Sequence, residues 1–269
     1  MTCLTKDLYG DLQTGCDDSY TVDTYEEGGQ MLMIQSAPTT TTVGKFFRKG
    51  LPRYYKKGTV IVGIDPIPNG VYFIETGYVK VYSITDDGDE FLHVIYNHGE
   101  VFPLVWAYLG IQADLCYETM IDSLIWRISR DQFRSYIESN LESSNDMAKQ
   151  MARQFHVYSD RLDNLEYKKS SERVAFRLLY LAARFGIRRG KDIVIDAPVT
   201  QENIASSINL ARESVTRECT LLEHRNIIAR QNHHIVIKNL KQLRAQLSEP
   251  TGLKDWGLTR ASSEVITHR

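Results

Sequence analysis

The chain has 269 residues, 42% of them hydrophobic and 25% charged, enough for two modest domains with packed cores. Its 32 Lys and Arg against 34 Asp and Glu leave a net charge of −2, a balance that by itself argues against a nucleic-acid partner. No uninterrupted apolar stretch approaches the length of a membrane span, and the opening MTCLTKDLYGDLQTGCDDSY has neither the basic start nor the apolar core of a secretory signal. A cytoplasmic protein with no membrane partner is expected. Cys3, Cys16, Cys116 and Cys219 are scattered without a close metal-type pair. That fits a reducing compartment and disfavours a metal site or an iron–sulfur cluster.

In chain order, residues 1–43 are polar, rich in Gly, Asp and Thr, and read as a flexible extension. Residues 44–140 read as a β domain. Its runs Thr59–Ile64, Val71–Glu75, Tyr78–Ile84, Glu90–Tyr96 and Leu124–Ile128 are β-branched or aromatic, punctuated by DPIPNG, ETG, DDGD and NHGE. Asp87-Gly88 between two of them is a hairpin signal. From about residue 131 the pattern turns helical, with one long helix over 141–168. There Met147, Met151, Tyr158, Leu162 and Leu165 keep a seven-residue, a/d-like spacing, widened by Phe155 and Val157. Such a seam fits packing on a second copy as a coiled coil, or packing on the chain's own β domain.

After Ser170-Ser171, the residues Val174, Leu178, Leu181 and Phe185 predict an amphipathic helix leading into a module over 169–247. Thr200 is placed to cap a short helix with Ile204, Ala205 and Ile208 inward, though Asn203 stands where a capping box has Glu or Gln. Asn209 then tolerates the left-handed backbone of a tight turn. A second helix, about Ala211 to His224, buries Val215, Cys219 and Leu222 and turns Arg212, Glu213, Thr216, Arg217 and Thr220 outward. Ile227-Ile228, a polar turn at Arg230 to His233 and Ile235-Val236-Ile237 complete a wing, with Arg230, His233 and Lys238 set near phosphates. This order is a winged helix-turn-helix, which places its second helix in the DNA major groove. Arg pairs bidentately with guanine and Glu accepts from a cytosine amino group, so Arg212, Glu213 and Arg217 form a base-reading set, with Thr200 and Gln201 at the first helix. The alternative is a solvated face with one Glu213–Arg217 ion pair.

Charge segregates with the motif. Residues 169–247 carry 14 basic and 7 acidic side chains, a net of +7, and the remainder carries −9, as expected for one DNA-facing module. Residues 248–269 read as a flexible tail. No phosphate-binding loop, dinucleotide fingerprint, G-x-S-x-G or H-E-x-x-H occurs, so no enzyme is expected.

Over residues 45–245 the chain resembles the CRP/FNR superfamily of bacterial transcription regulators. The resemblance rests on QMARQFHVYSDRLDNL (150–165), on ARESVTREC (211–219), and on Gly70…Tyr72-Phe73-Ile74…Gly77-Tyr78-Val79-Lys80-Val81. It implies an α+β chain: an N-terminal double-stranded β-helix (a jelly-roll-like β-roll), a long dimerisation helix, and a C-terminal winged helix-turn-helix. It also implies a homodimer formed through residues 141–168 that reads a TGTGA-like palindrome on double-stranded DNA, with RNA polymerase as a further partner. Arg212 and Arg217 would contact guanines and Glu213 a cytosine.

The family's cyclic-AMP-binding version holds the cyclic phosphate with a Gly-Glu pair and an Arg-Ser step. Here Pro103-Leu104 and Ala113-Asp114 stand at those steps, which removes the cation and adds an acid. On the long helix, Tyr158 and Ser159 occupy the adenine-contacting positions. Cyclic AMP is therefore not expected as a ligand. Phe102, Trp106, Tyr108, Asp114, Tyr117, Tyr158 and Ser159 line a candidate effector pocket suited to an apolar or aromatic molecule. The aromatics alternatively fill the roll with no effector. A cyclic-nucleotide-gated regulator and a nonspecific architectural DNA binder are the alternatives to the effector-independent or unknown-effector reading.

Overall fold

The computed structural model describes residues 42–64, 67–166, 169–232 and 234–247. Two four-stranded antiparallel sheets form the N-terminal part. One has the order β1 (Leu51–Tyr55), β8 (Ser123–Ile128), β3 (Val71–Thr76), β6 (Val101–Phe102). The other has the order β2 (Val60–Val62), β7 (Cys116–Thr119), β4 (Val79–Ile84), β5 (Glu90–Tyr96). The β4–β5 hairpin turns at Gly88, whose positive φ of 88° suits a residue without a side chain.

β3 is covered on both faces, so its side chains alternate between two cores. Tyr72 and Ile74 point into the roll, where they join Val79, Leu92 and Ile125. Val71 and Phe73 point the other way, into a second core built with helices α1 (Thr42–Phe47), α2 (Leu104–Leu109) and α3 (Arg130–Ser139).

Two features differ from the sequence expectation, and the break before the long helix falls at its expected start. Helix α1 begins at Thr42, inside the stretch 1–43 read as an extension; residues 1–41 lie outside the described residues. Helix α2 interrupts the β domain because LVWAYL pairs buried Leu104 and Ala107 on one face and ends at Gly110, left-handed at φ 72°. The helical stretch after residue 129 breaks in two at Asn140. Its backbone is extended and ends α3, while its side chain accepts from the Ser143 amide (2.9 Å) and starts α4 (Leu141–Glu166).

Helix α5 (Ser170–Phe185) follows, then a third antiparallel sheet in the order β11 (Ile228–Gln231), β12 (His234–Ile237), β10 (Asp192–Ile195), β9 (Gly186–Arg189). Helices α6 (Gln201–Ile208), α7 (Arg212–His224) and α8 (Leu240–Arg244) complete the module. The predicted stretch 248–269 lies outside the described residues. Among the described residues no helix is long and apolar enough to cross a membrane.

Helix α5 is not amphipathic in its setting. Val174, Leu178 and Leu181 pack into the helix-turn-helix, and the opposite side, with Phe176, Arg177, Tyr180 and Arg184, is buried too. At the C-terminal end of the helix that second side meets the roll. Arg184 Nη2 reaches Glu100 Oε2 at 2.7 Å, Glu100 Oε1 at 2.8 Å and the Ile95 carbonyl at 3.3 Å. Tyr78 meets Phe185 edge-on at 6.1 Å and donates to the Asp196 carbonyl. Helix α6 packs on β5. The roll and the DNA-type module thus share one continuous core.

Candidate nucleic-acid interface and sensor interior

Thr200 caps α6, its hydroxyl accepting from the Asn203 amide at 3.1 Å. Asn203 returns the bond to the Thr200 amide at 3.0 Å, so this Asn closes a full capping box where the sequence suggested half of one. Asn209 is left-handed (φ 52°, ψ 54°) and turns the chain into α7. Gln201, from the first turn of α6, accepts from the Thr216 hydroxyl at 2.9 Å and ties the two helices together.

On α7, Val215, Cys219 and Leu222 are buried, and Glu213, Thr216 and Thr220 are exposed. The Arg212 side chain is 65% exposed and the Arg217 side chain 67%. Their nearest acids are Glu202 at 3.7 Å and Glu218 at 3.8 Å. The Glu213–Arg217 pair considered from sequence does not form; Glu213 keeps its carboxylate for another partner. Exposed ion pairs of this length contribute little, so both guanidiniums are available to a ligand. Thr220 donates to the Thr216 carbonyl (2.9 Å). Burial raises the Cys219 thiol above its ordinary range, which keeps it protonated.

The wing forms between β11 and β12. Arg230 is held by Glu223 at 2.9 Å and stays half-exposed. Lys238 does not serve the wing: it sits at the far end of β12, bonded to Asp192 at 2.6 Å. His233 lies outside the described residues.

The candidate effector residues do not converge on one pocket. Phe102 stacks between Tyr72 and Tyr117, 5.2 Å from each, with Tyr96 at 5.8 Å, deep between the two sheets. Burial raises the Tyr72 hydroxyl to about 12 and pushes those of Tyr96 and Tyr117 well up, so all three stay neutral. Trp106 and Tyr108 instead pack against the second core. Trp106 stacks under Arg130, and Tyr108 meets Phe133 edge-on at 5.6 Å. Tyr108 follows Leu104 at i+4 and so shares the α2 face that packs on the second core, away from the roll interior. Asp114 is exposed, Ser159 is partly buried, and Tyr158 lies half-open on α4.

Two features of the N-terminal domain were not visible in sequence. Arg130 Nε donates to the carbonyls of Trp106 (3.0 Å) and Ala107 (3.1 Å), clamping the C-terminus of α2. Gln150 on α4 bonds both the amide (3.1 Å) and the carbonyl (2.7 Å) of Val101, pinning the long helix to β6 just before α2.

The long helix divides its apolar residues between two directions. Met147 and Val157 are buried against the chain itself, while Met151, Phe155, Tyr158 and Leu162 face outward at spacings of four, three and four. Leu165 is among the side chains left undescribed.

Residues 172–246 match the Crp-like helix-turn-helix domain, and residues 52–140 match the cyclic nucleotide-binding domain. The chain belongs to the CRP/FNR family. Among CRP/FNR relatives is the CRP-like cAMP-activated global transcriptional regulator of Mycobacterium tuberculosis, 27% identical over 71% of this chain and 86% of that protein. The cAMP-activated global transcriptional regulator CRP of Salmonella typhimurium is 26% identical over 76% and 98%. Two solved structures share the fold. A CooA variant from Carboxydothermus hydrogenoformans has a TM-score of 0.66 at 18% identity, covering 81% of this chain and 97% of that one. FixK2 from Bradyrhizobium japonicum has 0.64 at 23% identity, covering 75% and 98%. The chain is a CRP-like transcription regulator with a cyclic-nucleotide-binding-type domain and a helix-turn-helix domain.

Proposed function

We propose that two copies of this chain bind a TGTGA-like palindrome in the cytoplasm, without gating by cyclic nucleotides, and act there with RNA polymerase. The observation that carries the reading is the outward presentation of Arg212 and Arg217 on a helix anchored by Val215, Cys219 and Leu222. Both arginines are preorganised by packing beneath them and only loosely held by acids, so base contact costs little rearrangement. Dimerisation draws support from the outward row Met151, Phe155, Tyr158 and Leu162, a stripe that a second α4 would bury.

The two relatives are cAMP-activated by name. Against carrying that over stand Pro103-Leu104 and Ala113-Asp114 in place of the phosphate-holding steps. The stacked Tyr72, Phe102 and Tyr117 offer the phosphate no cation in the roll interior. No metal ion or iron–sulfur cluster enters the reading, and neither does a catalytic step.

Fluorescence anisotropy of full-length protein on a TGTGA palindrome and on a scrambled duplex tests it. The palindrome should bind tighter, and Arg217→Ala should erase most of the difference. Equal binding to both duplexes, with a steep salt dependence, would assign the protein to architectural binding instead.

A further inference from the structure

Five charged side chains are buried among the described residues: Lys80, Glu100, Glu172, Arg177 and Arg184. Four have an opposite charge beside them. Lys80 meets Glu90 at 2.6 Å, Glu172 meets Lys169 at 3.6 Å, and Glu100 and Arg184 meet each other. Arg177 is the exception. It is 8% exposed, its Nε has no hydrogen-bond partner, and no acid among the described residues pairs with it. Its one polar neighbour of note is the Tyr180 ring, 4.7 Å below the guanidinium.

The setting is a built one. Arg177, Tyr180 and Arg184 stand at i, i+3 and i+7 of α5, one stripe along one face. At the C-terminal end of that stripe Arg184 engages Glu100 of the roll. The Nε atoms of both arginines are shielded and unbonded. Glu100 is taken by Arg184, and no acid among the described residues pairs with Arg177. Burial lowers the affinity of Arg177 for its proton, and the charge of Arg184 adds to that. A buried cation without a counter-charge is costly to keep, and what offsets the cost most directly is an anion from outside.

We propose that this face of α5 binds the anionic group of a small metabolite, phosphoryl or carboxylate, seated on Arg177. A planar guanidinium backed by an aromatic ring suits bidentate capture of either group. The site is separate from the stacked aromatics around Phe102. The proposal stands apart from the DNA reading, and its test needs no DNA.

The full chain is titrated with inorganic phosphate and, separately, with succinate, each against chloride at matched ionic strength. Thermal unfolding and calorimetry are the readouts. At least one anion should raise Tm saturably, and the arm that responds identifies the group. Arg177→Gln should weaken that binding about 10- to 100-fold, the loss of one charge-assisted contact. Arg177→Lys keeps the charge but not the fork; it should fold even if the Gln variant does not, and should also bind more weakly. Arg212→Ala, which removes a cation from the DNA-type surface, should bind the anion as the parent does. No saturable response to either anion overturns the proposal, and so does a response unchanged in both Arg177 variants.

Discussion

Replacing Glu100 by Gln tests how the two domains are joined. The Glu100 and Arg184 side chains are 5% and 4% exposed, and one guanidinium nitrogen lies within 2.8 Å of both carboxylate oxygens. Gln keeps the shape and can still accept from the Asn97 amide, which bonds Glu100 Oε2 at 2.9 Å. What it removes is the charge that Arg184 was buried against. In the native protein burial works against the Arg184 cation, yet Glu100 outweighs it and raises the group above its ordinary range. Without the carboxylate, the cation stays buried and uncompensated, beside a second buried arginine. Breaking such a pair costs about 3–5 kcal/mol, whereas replacing both members by apolar groups is close to neutral. Urea unfolding of Glu100→Gln, Arg184→Met and the double variant should therefore show two large single losses and a double loss well below their sum. Single losses under about 1 kcal/mol, the worth of an exposed ion pair, would refute the reasoning. So would strict additivity.

Other consequences follow from particular residues. Arg212→Ala or Arg217→Ala should each cost about 1–3 kcal/mol on the TGTGA palindrome and relax base preference, as read by competition binding. Phe155→Glu should leave folding intact, because Phe155 is 75% exposed in the single chain, while sedimentation should show loss of the dimer. Thr200→Ala removes the first-helix cap and should cost about 1 kcal/mol in thermal unfolding. Gly77→Ala should cost about 1–3 kcal/mol, since φ is +108° and a Cβ there would lie 2.0 Å from Ser123 Oγ. Iodoacetamide followed by peptide mass spectrometry should label Cys219 only as fast as the protein unfolds, given its buried, raised thiol.

The helix-turn-helix was legible because its signals are local. Period 3.6 in α6 and α7, an Asn at the left-handed turn and a capping Thr all lie within a few residues of one another. Strand β1 was not, since Leu51-Pro-Arg-Tyr-Tyr is largely exposed and carries a Pro, with no buried alternation to read. The β9–β10 hairpin was hidden in the same way, with Ile187-Arg188-Arg189 outward. The candidate pocket failed on periodicity: Phe102 and Tyr117 stack inside the roll, but α2 carries Trp106 and Tyr108 into the other core. The domain junction was illegible for a different reason. Glu100 and Arg184 are 84 residues apart, and a charge in sequence reads as solvent-facing until its partner is known. In hindsight Arg177 and Arg184 inside the otherwise apolar run VAFRLLYLAARF were the signal.

The most direct test of the central claim is selection of duplexes bound by the full-length protein from a random pool, followed by sequencing. The account predicts one enriched inverted repeat with TGTGA-like halves whose centres lie about one helical turn apart, about 10 base pairs. Enrichment of a lone half-site, or of no motif at all, would contradict it.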